Sequence, residues 1–434
     1  MSKPLCVISC PINTYSGYGA RSRDLVKAIS ELKKDEWEIQ IIPQRWGDCA
    51  WGFIEENPEW AFLNEFIKQP DLNKQPDVWI QISIPSEFQP IGKYNIGVTA
   101  GIESTICHHT WIEGLNRMNV NWVSSNHAKT VFEQTFFEQK DQLGRVVGAL
   151  KSIKPIEVVL EGANLDVYKF IPEEQLTLKL DEVKEDFAFL FVGHWMQGDL
   201  GEDRKNVGLL IKGFFETFKN KPAKPALILK VTGGVSSYSD RDNILAKIDA
   251  IKKTCASTDL PNIYLLHGDF TDAEMNELYN NPKVKSMISL TKGEGFGRPL
   301  LEFSLIRKPI IASNWSGQMD FLMKDLHPLI GGELKPVHPS AVNSFLLAES
   351  SWFNPNLAEI GTVMLDVFTH YNKYTSGAKQ QSYINKDKFS FDAMKSVIKA
   401  QLNKCPQFAT QVVLQLPNLT KKLQLPNLER KLKI

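Results

Sequence analysis

A rhythm restricts this chain most. Short runs of apolar, strand-forming residues alternate with loops and with text of helical period, in two series separated by a charged stretch. The second series reads FAFLFVGHW (187–195), helical VGLLIKGFFETF (207–218), ALILKVTG (226–233), helical NILAKIDAIKKT (243–254), NIYLLHG (262–268), helical DAEMNELYNN (272–281), VKSMISLT (284–291) and PIIAS (309–313). The first opens with PLCVISC (4–10), a glycine loop and a helical segment in which Leu25, Ile29 and Leu32 recur. WEIQIIP (37–43), DVWIQIS (77–83), YNIGVTA (94–100), VNWVSS (120–125), helical AKTVFEQTFFEQ (128–139) and IEVVLEGANLDVYKF (156–170) follow. Strands this apolar are buried on both faces, and helical connections cover such faces in a parallel sheet. The pattern predicts an α/β protein of two Rossmann-like, doubly wound domains facing each other across a cleft, with ligands at the carboxyl ends of the strands. The first domain is expected over 1–170 and the second over 171–375, opened by the charged IPEEQLTLKLDEVKED (171–186). A return helix is expected within 376–405, with Ser390 as its N-cap, and a basic repeat tail over 406–434.

Length agrees, since 434 residues exceed one core and suit two domains of about 150–200 residues each. Lys plus Arg and Asp plus Glu both number 50, so no global field draws the chain to nucleic acid or anionic surfaces. The balance is local: residues 1–170 carry about four excess negative charges and 376–434 about eight positive ones. Six scattered cysteines form no CxxC pair and are expected as reduced thiols. With no signal-like N-terminus and no apolar run of about 18–20 residues, a cytoplasmic protein is expected. The tail repeats LQLPNLTKK and LQLPNLERK. Its prolines oppose a continuous helix, and it reads either as a partner-docking segment or as an end that packs on the body.

The densest chemistry lies in TKGEGFGRPLLEFSLIRKPIIASNWSG (291–317). A buried strand runs into a glycine turn, Pro299 suits a first helical turn, and LLEFSLI continues as helix. Glu294 sits in the turn and Glu302 eight residues later, where they can face one ligand at two depths. Gly295 and Gly297 would let a ligand approach the backbone, and carboxylates accept hydrogen bonds from sugar hydroxyls. The bland alternative is a capping acid and a solvated one.

These residues resemble the signature of retaining glycosyltransferases of family 4, which have the GT-B fold and an E-x7-E element. The resemblance is specific over roughly 291–320 and follows the element order through most of the chain. It implies a nucleotide-diphosphate sugar as donor substrate, with no cofactor and no metal. It places Glu294 at the donor sugar hydroxyls, Glu302 at the nucleotide ribose, and the backbone around Gly295, Phe296 and Gly297 at sugar and phosphate. FVGHWMQGDLGEDRKNVGLLIKGF (191–214) is similar to the family's first strand and basic turn of the donor domain. There Lys205, beside Arg204, would neutralise the diphosphate. The family's glycine–arginine pair is Gly193-His194 here, which leaves Arg204, Arg298 or His194 as the second cation. SGYGARSRDL resembles the glycine-rich loop of the acceptor domain, with Gly17 and Gly19 at the diphosphate; it lacks the third glycine of a dinucleotide fingerprint. Text around Thr99 resembles that of relatives carrying an active-site acid, which assigns Glu103 to acceptor or donor sugar.

Other features have simpler readings. His108, His109 and His127 read as capping or surface residues. Asp240-Arg241-Asp242 reads as a helix start and not as a metal motif. Arg45, Trp46, Asp48 and Trp51 gather in the acceptor domain as core or as a sugar-stacking surface. No Ser–His–Asp set emerges, which suits a transferase working by positioning and electrostatics. The acceptor is left as a glycan, a lipid or a hydroxymethylated DNA base, the last because the tail resembles those of phage-encoded glycosyltransferases, whose cytoplasm is the host's. Two rival readings keep the fold: a non-catalytic nucleotide-sugar scaffold and a nucleotide-sugar epimerase.

Overall fold

The computed structural model describes residues 3–68, 72, 74–234 and 236–408. The LQLPNL repeats lie outside the described residues. The first unit runs β1 (Leu5–Cys10), α1 (Gly17–Lys33), β2 (Glu38–Pro43), α2 (Phe53–Glu56), β3 (Val78–Ile82), β4 (Tyr94–Thr99), α3 (His109–Arg117), β5 (Val120–Val123), α4 (Asn126–Gln134), β6 (Phe136–Lys140), β7 (Val146–Lys151) and β8 (Ile156–Val158). The second runs β9 (Ala188–His194), α5 (Val207–Phe218), β10 (Ala226–Thr232), α6 (Tyr238–Lys253), β11 (Ile263–Leu266), α7 (Asp272–Asn280), β12 (Val284–Ser289), α8 (Arg298–Ser304), β13 (Ile310–Ser313) and β14 (Leu329–Ile330). A hairpin of β15 (Gly332–Pro336) and β16 (Ser351–Pro355) follows, then α9 (Leu357–Thr369), α10 (Asn372–Lys388) and α11 (Phe391–Leu402).

Each unit holds one six-stranded parallel sheet, ordered β2-β1-β3-β4-β5-β8 in the first and β11-β10-β9-β12-β13-β14 in the second. The apolar runs become these central strands: every residue of β1 and β3 is buried. In both sheets the order reverses beside the first strand of the unit, between β1 and β3 and between β9 and β12. A doubly wound sheet opens a crevice at such a point. No helix among the described residues is long and apolar enough to cross a membrane.

Several elements differ from the sequence expectation. The helical reading of 128–139 overruns: α4 stops at Gln134, and 136–140 pairs with β7 as an antiparallel hairpin. Thr135 ends the helix, its amide bonding the Val131 carbonyl, and the aromatic pair Phe136-Phe137 enters the strand, where such residues are favoured. Residues 376–405 contain the end of α10 as well as α11. α10 binds the second unit, with Ser382 Oγ donating to the Leu305 carbonyl at 3.0 Å and Asn385 Nδ2 to Ser304 Oγ at 2.7 Å. α11 crosses back to the first: Ser390 caps it by accepting from the Ala393 amide, and Met394, Ile398 and Leu402 enter the core that holds α1.

The units meet closely where β4 and β12 end. A Cβ built on Gly293 would lie 2.0 Å from the Glu103 carbonyl oxygen, and one on Gly295 would lie 2.8 Å from that of Ala100. Ser124 Oγ donates to the Gly295 carbonyl at 3.3 Å, and the Asn126 amide to Asp320 Oδ2 at 2.9 Å. Glycine at 293 and 295 therefore admits the other domain's backbone; of the two, only Gly295 is expected from the sequence to face a ligand. A methyl at 293 would force the domains apart. Gly293→Ala should lower the melting temperature, by an amount equivalent to about 1–3 kcal/mol, and enlarge the radius of gyration in X-ray scattering. An unchanged scattering profile would show that the contact does not hold the domains together.

Candidate active site

The reversal of strand order in the second sheet places two loops side by side, the one after β9 and the one after β12. The first supplies Arg204 and Lys205, and the second supplies Glu294. Lys205 Nζ meets Glu294 Oε1 at 2.6 Å, and Arg204 Nη1 lies 3.5 Å from Oε2. Arg204 also donates to the Gly293 carbonyl at 2.8 Å and reaches across the cleft to Glu103 Oε1 at 3.4 Å. The loops are stitched by the Lys292 amide, which donates to the Arg204 carbonyl at 2.7 Å. The Glu294 backbone is fixed on the other side, its amide donating to Ser316 Oγ at 2.9 Å and its carbonyl accepting from the Gly317 amide at 3.0 Å. Acid and base thus alternate as Glu103, Arg204, Glu294 and Lys205. Burial pushes the Glu294 carboxyl up, but Lys205 and Arg204 outweigh it and hold it below the usual range. A small cleft beside this chain of charges is lined by Lys205, Glu294, Gly297, Pro299, Leu300 and Ser289.

Gly297 starts α8 with φ +97°, a conformation that favours glycine, and its carbonyl accepts from the Leu300 amide at 3.0 Å. Phe296 turns inward, its ring 5.0 Å from that of Phe321 in the core. With α8 only seven residues long, the Arg204–Lys205 pair is the stronger source of positive potential. On the other wall Gly17 begins α1, capped by Ser16, while Gly19 packs under Thr14, whose carbonyl oxygen would lie 2.2 Å from a Cβ there.

Arg298 and Glu302 form a second cluster. Arg298 Nε donates to Glu302 Oε1 at 2.9 Å. Its Nη1 donates to Asp24 Oδ2 on α1 at 2.5 Å and lies 3.5 Å from Glu161 Oε2. Three carboxylates from two domains therefore share one guanidinium. Arg21, which hydrogen-bonds the Leu160 carbonyl at 3.2 Å, adds a second positive charge nearby. Burial raises the Glu302 carboxyl to about 8, only partly countered by Arg298, and burial raises Glu161 as well. Burial thus favours the protonated form of Glu302 and of Glu161.

Sequence reasoning passed over Asp24 and Glu161, whose roles depend on the domains meeting. The available signal was charge at buried positions of α1, where Arg21, Arg23 and Asp24 are all buried. Lys230 was also passed over. Its ammonium donates to the Gly268 carbonyl at 2.6 Å and lies 4.8 Å from the Phe270 ring centre, with no carboxylate ion pair among the described residues. His194, bonded to Thr232 Oγ1 at 2.9 Å, is held below the ordinary histidine value by burial and then by Lys205, Arg204 and Lys230. Three cations thus surround the end of β9. The other histidines take local roles: His108 caps α3, and His127, pushed down to about 4 by burial, packs 4.7 Å from the Trp315 ring. Asp240 lies in the first turn of α6, accepts from the Gly233 amide at 2.8 Å and faces His267. Trp46 stacks on Tyr18 at 3.9 Å, and Arg45 lies over Trp51 at 4.6 Å.

Two facing doubly wound domains, with a charged cleft between their strand ends and a last helix returning to the first, constitute the GT-B fold. Solved structures share it across nearly the whole chain. HepE from Anabaena, in complex with UDP and glucose, matches with a TM-score of 0.60 at 13% identity, covering 92% of this chain and 99% of that one. Sucrose-phosphate synthase from Thermosynechococcus elongatus matches at 0.58 and 12%, covering 92% and 98%. A UDP-forming α,α-trehalose-phosphate synthase from Burkholderia xenovorans matches at 0.56 and 11%, covering 93% and 99%. No family model and no curated protein matches the sequence.

The raised Glu302 carboxyl has a measurable consequence. Between the ordinary carboxyl value of 4.5 and about 8, the folded state binds more protons than the unfolded chain. Stability therefore falls as pH rises through that window. Glu302→Gln should flatten the decline in melting temperature between about pH 5 and about pH 8. A variant with the wild-type slope would place the proton elsewhere.

Proposed function

We propose that this chain is a retaining glycosyltransferase that moves a sugar from a nucleotide-diphosphate sugar to an acceptor hydroxyl. The observation that carries the reading is the buried Lys205–Glu294–Arg204 contact at the strand ends of the second domain, closed from above by Glu103. The E-x7-E resemblance and the nucleotide-sugar enzymes among the similar structures support the same reading.

The chemistry follows from the charges. As the bond from the anomeric carbon to the diphosphate breaks, negative charge collects on the leaving phosphate. Arg204, Lys205 and Lys230 supply fixed positive potential there, in a site screened from water by the opposed domains. Donor phosphates would compete with Glu294 for Lys205, freeing the Glu294 carboxylate to accept from sugar hydroxyls. Glu302 takes the ribose. Arg298, its charge already offset by Asp24, Glu161 and Glu302, orients Glu302 and offers its remaining N–H groups to the donor. Retention requires the acceptor on the same face as the leaving group, where the departing phosphate itself can receive the acceptor's proton. Glu103 then borders the sugar from the first domain. The acceptor is a glycan, a lipid or a modified DNA base.

A thermal-shift panel of UDP-, GDP-, ADP- and TDP-sugars tests donor binding. One donor at about a hundredfold over its Kd should stabilise the wild type by about 2.7 kcal/mol. Lys205→Ala should lower kcat by about 10²–10³-fold, the scale on which removing one electrostatic stabiliser acts. Binding without turnover on any acceptor would favour the scaffold reading, and turnover without acceptor the epimerase. Arg298→Ala with unchanged donor affinity would remove Arg298 from the site.

A further inference from the structure

We infer that the β6–β7 hairpin of the first domain is a docking element for an anionic lipid bilayer. It is built unlike the rest of that domain. Among the described residues, β6 and β7 pair with each other and with no other strand. Phe137 and Leu150 point inward and join the core around α3. Large apolar side chains elsewhere in the hairpin and just after it face water: Phe136 is 64% exposed, Leu143 76%, Val147 67% and, beyond β7, Ile153 70%. Register shifts opposite Gln139 and Lys140, so Val147 stands as an extra residue out of the ladder.

The tip is organised. Asp141 Oδ1 accepts from the Leu143 and Arg145 amides, both at 2.9 Å, and its Oδ2 accepts from Arg145 Nε at 2.9 Å. The turn therefore presents Leu143 at its apex as a fixed feature. Asp141 is consumed in building it, and Glu138 is paired with Lys140 at 3.3 Å. Lys151 and Lys154 have no carboxylate ion pair among the described residues, so residues 136–154 are net basic, with four bases against two acids. The whole of 1–170 carries about four excess acids, so this basic projection stands out from an acidic domain.

Charge selects the occupant. A second copy would set Lys151 and Lys154 against their own equivalents, and like charges oppose that contact. An anionic bilayer satisfies both features at once: Leu143, Val146 and Val147 enter the boundary of the acyl chains, and the lysines reach the headgroups from their apolar stems.

Flotation of the full chain with vesicles tests this. Wild type should float with vesicles of phosphatidylcholine and phosphatidylglycerol in equal parts, not with phosphatidylcholine alone, and less at high salt. Leu143→Asp combined with Val147→Asp, both at exposed positions, should reduce binding at least tenfold while the melting temperature is kept. Lys151→Glu with Lys154→Glu should do the same. Wild type that fails to float overturns the proposal. So does a Leu143→Asp/Val147→Asp protein that floats as wild type does, which would move lipid contact to another segment such as 406–434. A dimer seen in light scattering and abolished by the same substitutions would assign the hairpin to a second copy instead.

Discussion

The architecture depends on one close approach: the turn 293–297 lies against the backbone of residues 100–103 with no side chain between them at Gly293 and Gly295. At that separation, charges on opposite walls interact directly. Arg204 reaches Glu103, and Arg298 reaches Asp24. Both arginines belong to the second domain and both acids to the first, so these charge pairs form across the domain seam. The Thr105 amide adds a hydrogen bond to the Ser351 carbonyl at 2.9 Å, extending the seam to β16.

The two clusters divide the cleft by electrostatic character. Around Glu294 bases and acids alternate, and Lys230 adds a charge with no ion pair among the described residues. Around Glu302 three carboxyls face Arg298, and burial favours the protonated form of Glu302. The first therefore offers the stronger positive potential, whereas neutral hydroxyls can hydrogen-bond at either. A ligand with a charged middle and polyhydroxylated ends is what such a division suits.

Much of this was legible in the sequence, for identifiable reasons. Buried parallel strands have to be apolar along their length, so FAFLFVGHW and VNWVSS announced themselves. Glu294 and Glu302 were visible because the glycines and Pro299 mark a turn into a helix. β6 reads as a continuation of α4 because EQTFFEQ has no turn residue between the helix and the strand; the first, Asp141, comes only after the strand's end. α10 went unread because its sequence is polar throughout, and its buried positions are Ala378, Gln381, Ser382 and Asn385. Asp24 and Glu161 were invisible for a different reason. Nothing local distinguishes them from solvated acids until Arg298 arrives from more than a hundred positions away in the chain.

The return of α11 has a consequence for how the protein is made. Met394, Ile398 and Leu402 complete the core of the domain that begins at β1. During synthesis that domain therefore emerges before the other and receives its last helix only after the other has been made. An unfinished apolar surface on α1 is exposed throughout that interval, a natural point of engagement for chaperones and the place where a truncated product would betray itself.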